Sequence, residues 1–232
     1  YVVIDRNTNT ILYGKNETQK RKMASTTKIM TATVIIENCD LNATVEVSKK
    51  AAGTGGSRLG LKTGDKITIR DLLYGLMLRS GNDAAVSLAE YAGGSIDGFS
   101  ELMNKKALEL GLTNTHFKTP HGLDSDEHYT TAYELALLSN HALNNKTFAQ
   151  IVGTKNYTAK SSYKTYTWTS KNKLIHRYDY INGGKTGYTE KARRTLVTTA
   201  SLDNKDLVVA LTSLTSIGIA TNVGEVMGSE HD

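Results

Sequence analysis

Residues 23–31 read MASTTKIMT, which places Ser25 three residues before Lys28 at the head of an apolar run. In a helix, residues three apart share a face, so the lysine amine reaches the serine hydroxyl. A serine hydroxyl is a weak nucleophile at neutral pH and needs such a base within hydrogen-bond reach. A helix start adds free N–H groups and the positive end of the dipole, which suit a developing oxyanion. Burial would lower the amine pKa and let Lys28 act as that base. The same stretch fits an ordinary helix-cap serine beside a solvated lysine, and on its own it leaves both readings open.

Two further stretches carry reactive residue types. RSGND sets Ser80 and Asn82 in a break between two helical patterns. In an extended turn, alternate residues point the same way, so a hydroxyl and an amide would enter one cleft together. Plain turn chemistry is the competing reading, since Ser, Gly and Asn all form turns. GGKTGYT superficially ends like a phosphate-binding loop, but Asp179 occupies the position of that loop's first glycine, and β-type sequence follows. It fits a strand at the edge of a cleft: Lys185 supplies charge, Thr186 a hydroxyl, and Gly187 room for a substrate backbone.

Decoys of each pattern occur. Ser161 with Lys164 lies in the extended-looking NYTAKSSYKTYTW, and Ser170 with Lys173 in a polar turn. Residues an odd number apart point to opposite faces of a strand, so neither pair would meet. Lys62-Thr63-Gly64 reads as a turn between short strands. His116, His121 and His128 match no zinc spacing, and the Asp124–His128 run lacks the glycine of a calcium loop, so no metal and no cofactor is expected.

The elements that must position these residues follow from pattern. YVVID and TILYG form a hairpin through RNTN, with Asn7 and Asn9 at the left-handed positions of its turn. A buried helix runs from about Ser25 to Asn38. TVEVS, SRLGL and KITI are short extended pieces. IRDLLYGLML and DAAVSLAEYAG are helices flanking the RSGN break. FSELMNKKALELGL is a helix closed by Gly111. TAYELALLSNHAL is a helix opened by a Thr131–Glu134 capping box. TYTWTS, RTLVTTASL and DLVVALTS are strands, the last two joined by DNK. Strands at both ends with helices between predict an α/β lobe, about 1–24 and 150–232, around a mostly helical lobe, about 25–149, in one domain.

The whole chain fits a globular protein. It has 232 residues, 39% hydrophobic and 22% charged, with a net charge of +5 and one cysteine. No apolar run approaches the roughly 20 residues that span a bilayer. The basic residues are scattered without aromatic interleaving, which argues against nucleic acid. Cys39 has no partner for an internal disulfide and reads as packing.

Ser-x-x-Lys, Ser-x-Asn and Lys-Thr-Gly, in this order, form the set shared by serine β-lactamases and penicillin-binding proteins. With MASTTKIMTA, GDKITIRDLLYGLMLRSGNDAA, PHGLDSDEHYTTAYELALL and INGGKTGYT, the chain resembles the D-alanyl-D-alanine carboxypeptidases over roughly residues 1–213. The resemblance implies a transpeptidase-like fold, an antiparallel sheet of N- and C-terminal strands with an inserted helical lobe, and a site between the lobes. It implies that Ser25 attacks the carbonyl between two terminal D-alanines and that Lys28 takes its proton. Ser80 with Asn82 would relay protons and orient substrate. Lys185 and Thr186 would hold the terminal carboxylate, and the N–H groups of Ser25 and Tyr188 the oxyanion. The implied partners are peptidoglycan stem peptides and β-lactams. The implied location is the outer side of a bacterial membrane, with the full-length form attached to it.

A class A β-lactamase would need a Glu-x-x-Leu-Asn loop, which Glu134 does not supply, since Leu137 is followed by Leu138. A peptidoglycan endopeptidase or transpeptidase and an inactive wall-binding module stay as alternatives. Two departures from the family pattern stand out. Arg193 falls where the family usually has glycine, and the sequence after about residue 213 has little family character, as a frameshifted end would.

Overall fold

The computed structural model describes residues 1–214. The expected non-native end lies outside them. Nine strands and seven α-helices occupy this span, among the described residues. The main sheet has five strands in the order β2-β1-β9-β8-β7 and is antiparallel throughout. Its members are β1 (Val2–Asp5), β2 (Ile11–Gly14), β7 (Ile181–Thr189), β8 (Arg193–Leu202) and β9 (Lys205–Leu214). Val2 pairs with Ala210, so the first strand and the last described strand close one sheet, as the pattern of strands at both ends predicts. The β8–β9 connection is a two-residue turn, with Asp203 and Asn204 both at positive φ. This is the hairpin turn that Asp and Asn tolerate. In the first hairpin only Asn9 takes the left-handed conformation; Asn7 instead donates its N–H to the Asp5 carboxylate.

Helices cover the inner face. α6 (Ala132–Leu143) packs on β9 and β1, and α7 (Lys146–Gly153) packs on β7. α1 (Lys28–Asn38) runs through the centre, buried from Lys28 to Ile35. Its apolar residues share one core with Val2, Ile4, Val197 and Val208 of the sheet and Leu72, Leu76 and Phe99 of the helical region. That region contains α2 (Lys49–Ala52), α3 (Ile69–Tyr74), α4 (Asn82–Gly93) and α5 (Ile96–Glu109), with the small sheet β3 (Thr44–Glu46) and β4 (Lys66–Thr68). The hairpin β5 (Asn156–Lys160) and β6 (Thr165–Thr169) is a separate sheet whose Tyr157 stacks on Tyr74 of α3.

Several expectations need correction. SRLGL is not a strand; it is a loop held by backbone bonds to the Asp83 carboxylate. The first turn of the Ser25 helix is 3-10, Ala24–Thr27. The capping box is half formed. Thr131 accepts from the Glu134 N–H, but the Glu134 carboxylate turns away to the Asn114 N–H and the Thr115 hydroxyl. α7 was not anticipated, although Phe148, Ile151 and Val152 carry its buried face and Asn145 caps it.

Candidate active site

Ser25 and Lys28 sit at the junction of the 3-10 turn and α1. Ser25 caps nothing, since the turn begins at Met23 without a side-chain cap. Ala24, just before the nucleophile candidate, is held at φ 47. Such strain in a non-glycine residue persists only where the surroundings over-determine it. Lys28 is fully buried, which excludes the solvated-lysine reading. Its Nζ lies 2.9 Å from Ser25 Oγ, 2.7 Å from Asn82 Oδ1 and 2.7 Å from the His121 carbonyl oxygen.

Burial, then the charges of Lys185 and Lys171, hold the Lys28 pKa well below the ordinary lysine range; Asp83 pulls weakly the other way. A neutral amine has two N–H donors and one lone pair. The His121 carbonyl can only accept. Asn82 can only accept through Oδ1, because its Nδ2 is committed to the Gly55 carbonyl at 2.7 Å. In the neutral form the two N–H groups would point at these acceptors, and the lone pair would face the Ser25 hydroxyl.

Ser80 and Asn82 share the site, but not through an extended turn. Helix α3 runs on into a wide turn, Gly75–Arg79, with i→i+5 bonding; Ser80 closes it at φ 63 and Asn82 opens α4. Ser80 Oγ accepts from Lys185 Nζ at 3.1 Å, and Lys185 also donates to the Thr186 carbonyl at 2.6 Å. Burial and the Lys171 charge lower the Lys185 pKa to about 7.

On β7, Gly183, Lys185 and Gly187 share the face turned toward the helices. A Cβ at Gly187 would fall 2.4 Å from Thr195 Oγ1 and 2.8 Å from the Ser25 nitrogen, so only glycine lets the strand lie against the nucleophile's backbone. Thr186 is half-buried beside it, and Tyr188 is exposed, with the Arg194 guanidinium over its ring.

The decoys stay outside. Ser161 caps the β5–β6 turn, Ser170 an adjacent turn, and Lys62 accepts from Asp65 in a third. Among the described residues no group of His, Cys, Asp and Glu could hold a metal.

Sequence reasoning missed three contributors. The His121 carbonyl is a main-chain group with no sequence signature. It is fixed by a loop that α1 grips through the Thr31 hydroxyl on Pro120, and Gly122, at φ 91, lets that loop abut Ala24, where a Cβ would collide. Lys171 lies in a stretch that read only as a polar turn, yet its Nζ is 3.3 Å from Ser57 Oγ and its charge reaches both buried lysines. Asp83 lies within RSGND, outside the Ser-x-Asn pattern that stretch supplies.

A two-region fold with a serine, a fully buried lysine within hydrogen-bond distance of it and a second buried lysine on a sheet-edge strand defines a class of site: a serine whose nearest candidate base is a lysine. The chain belongs to the D-alanyl-D-alanine carboxypeptidase family of serine peptidases, whose model matches residues 1–213. It is 39% identical over 209 residues to D-alanyl-D-alanine carboxypeptidase DacF of Bacillus subtilis strain 168, covering 88% of this chain and 54% of that one. It is 38% identical over 232 residues to the D-alanyl-D-alanine carboxypeptidase of Streptomyces sp. strain K15, covering 92% and 80%. The crystal structure of the Streptomyces K15 DD-transpeptidase superposes with a TM-score of 0.92 at 35% identity, covering 98% of this chain and 94% of that one. The chain thus spans about half the length of the Bacillus relative.

Proposed function

We propose that this chain is the catalytic domain, residues 1–232, of a serine-type D-Ala-D-Ala carboxypeptidase acting on peptidoglycan stem peptides outside the cytoplasm. The observation that carries the reading is the fully buried Lys28 amine, which lies 2.9 Å from Ser25 Oγ and whose pKa burial holds well below the ordinary lysine range.

Ser25 Oγ attacks the carbonyl between the two D-alanines, and its proton passes to Lys28. The N–H groups of Ser25 and Tyr188 receive the oxyanion, each such donor being worth about 3 kcal/mol. Ser80 and Asn82 orient the substrate and return the proton to the leaving amine. The C–N bond breaks, D-alanine departs, and water attacks the ester to restore Ser25. Lys185 and Thr186 hold the terminal carboxylate, the lysine by charge-assisted hydrogen bonding. A β-lactam presents a strained amide to the same hydroxyl and stays attached. Glu134, engaged with Asn114 and Thr115, is not free to activate a deacylating water, which supports slow β-lactam turnover. Export, and membrane attachment of the full-length protein, complete the proposal. Among the described residues no helix is long and apolar enough to cross a membrane.

Intact mass after brief exposure to benzylpenicillin, followed by peptide mapping, tests the core of the reading. An adduct on Ser25, abolished in Ser25→Ala together with D-alanine release from a D-Ala-D-Ala peptide, is the expected result. Labelling that survives in Ser25→Ala would sink the assignment. The name of the Streptomyces structure favours a second reading, transfer to an amine in place of water. Adding a glycine-terminated acceptor peptide and measuring the ratio of transfer to hydrolysis distinguishes the two.

A further inference from the structure

Asp83 is wholly buried in the first turn of α4. Among the described residues it forms no ion pair within 4.0 Å; its charge is met by main-chain N–H groups instead. Oδ1 accepts from Leu59 at 2.9 Å and from Ala84 at 3.0 Å. Oδ2 accepts from Leu59 at 3.0 Å, Gly60 at 2.9 Å and Leu61 at 3.1 Å. Three consecutive loop amides and a helix N-terminus thus converge on one carboxylate. Four N–H donors on one anion, Leu59 shared between its two oxygens, are strong enough to justify burying it, and removing the acceptor would leave the donors unsatisfied.

The loop they belong to has no regular structure, and residues 56–58 are exposed. Besides the Asp83 bonds, it touches the site through two carbonyls. Ser57 accepts from the Asn82 N–H at 2.7 Å, and Gly55 accepts from Asn82 Nδ2 at 2.7 Å. The second bond decides the face of the Asn82 amide turned to Lys28. With Nδ2 anchored, Oδ1 points at the amine. With the anchor lost, the amide is free to turn and present N–H groups to an amine that needs an acceptor there.

We infer that Asp83 is a positioning residue for the acyl-transfer step: it clamps the Gly55–Leu61 loop, and through that loop it fixes the orientation of Asn82 against Lys28. The inference rests on the assignment of Lys28 as base. It separates from that assignment, because penicillin labelling of Ser25 in the unaltered protein tests the base and nucleophile alone.

The test is the acylation of Asp83→Asn by a fluorescent penicillin, with the encounter constant and the rate of covalent bond formation resolved by stopped flow. Asparagine keeps the shape but turns an NH2 group toward the amides. The acylation rate is expected to fall about tenfold to a hundredfold, the scale of a small misplacement of reacting groups, while the encounter constant moves less than the rate does. In an Asn82→Ala background the same substitution is expected to cost almost nothing more, since both act along one path. Equal losses in both backgrounds, or a folded Asp83→Asn variant with an unchanged rate, would overturn the inference. Hydrogen exchange in the unaltered protein gives a measure independent of the variant's folding. The Leu59, Gly60 and Leu61 amides are expected to exchange slowly in a loop otherwise open to solvent, and rapid exchange there would equally overturn it.

Discussion

The proposed mechanism requires two lysines of one cleft in opposite charge states. Lys28 must be neutral to accept a proton from Ser25, and Lys185 must be cationic to hold a carboxylate. Burial depresses both, and the Lys185 charge lowers Lys28 further. In the free enzyme Lys185 titrates at about 7. Its useful form is the protonated one, so capture of an anionic peptide is lost as pH rises through that value. The expected outcome is a descending limb near pH 7 in kcat/KM for a peptide with a free terminal carboxylate, since that ratio reports the free enzyme. A substrate amidated at its C-terminus is expected to lack the limb. Identical profiles would place the carboxylate elsewhere. Lys185→Ala is expected to reduce capture of the free-carboxylate peptide about tenfold to a hundredfold, the range of a charged hydrogen bond. An unchanged KM in that variant would argue against the same assignment.

At the scale of elements, the turn between β7 and β8 explains a departure visible in the sequence. Arg193 sits at φ 58, the left-handed region where glycine is at ease and a side chain is strained. The turn survives because Thr189 accepts from the Ala192 N–H and donates to Asp124, tying the hairpin to the loop that follows His121. Arg193→Gly is expected to stabilise the protein by up to about 1 kcal/mol, the left-handed penalty less the entropy glycine adds to the unfolded chain. A urea titration that showed destabilisation would mean the Arg193 side chain supports the turn. Elements with a local cause were legible beforehand: the two hairpins, the Thr131 cap and the helix closed by Gly111. Ser25, Lys28, Ser80, Asn82 and Lys185 were legible as a set because their order and spacing repeat a known pattern. The wide turn before Ser80 was not, since i→i+5 bonding is rare and local propensity carries no signal for it. The Gly55 and His121 carbonyls, identical in chemistry to every other main-chain carbonyl, left no mark in the sequence.

The molecule as a whole carries two neutral histidines inside, and both brace the loop that presents the His121 carbonyl to Lys28. His128 Nδ1 accepts from the Lys118 N–H at 2.9 Å, so its Nε2 donates to Thr27 Oγ1 at 2.7 Å. A second proton would set Nδ1–H against the Lys118 N–H. His121 Nδ1 accepts from the Leu123 N–H at 3.1 Å. Burial lowers His121 to about 4, with the Lys28 charge adding to it, and lowers His128 to about 3. Both folded values lie below the unfolded value near 6.5. Between them the unfolded chain takes up protons that the folded chain refuses, so stability is full above about 6.5 and drains away as pH falls toward 4 and 3. At about 1.4 kcal/mol per unit of pH, each histidine removes about 2 kcal/mol by pH 5. The urea midpoint is therefore expected to fall steadily from pH 7 to pH 4.5. In His128→Gln, which keeps a donor and an acceptor without a titrating ring, the slope is expected to flatten by about half. An equal slope in that variant would show that His128 does not stay neutral in the fold. The same acidification should release the loop behind Ser25, so penicillin acylation and stability are expected to decline together over this range.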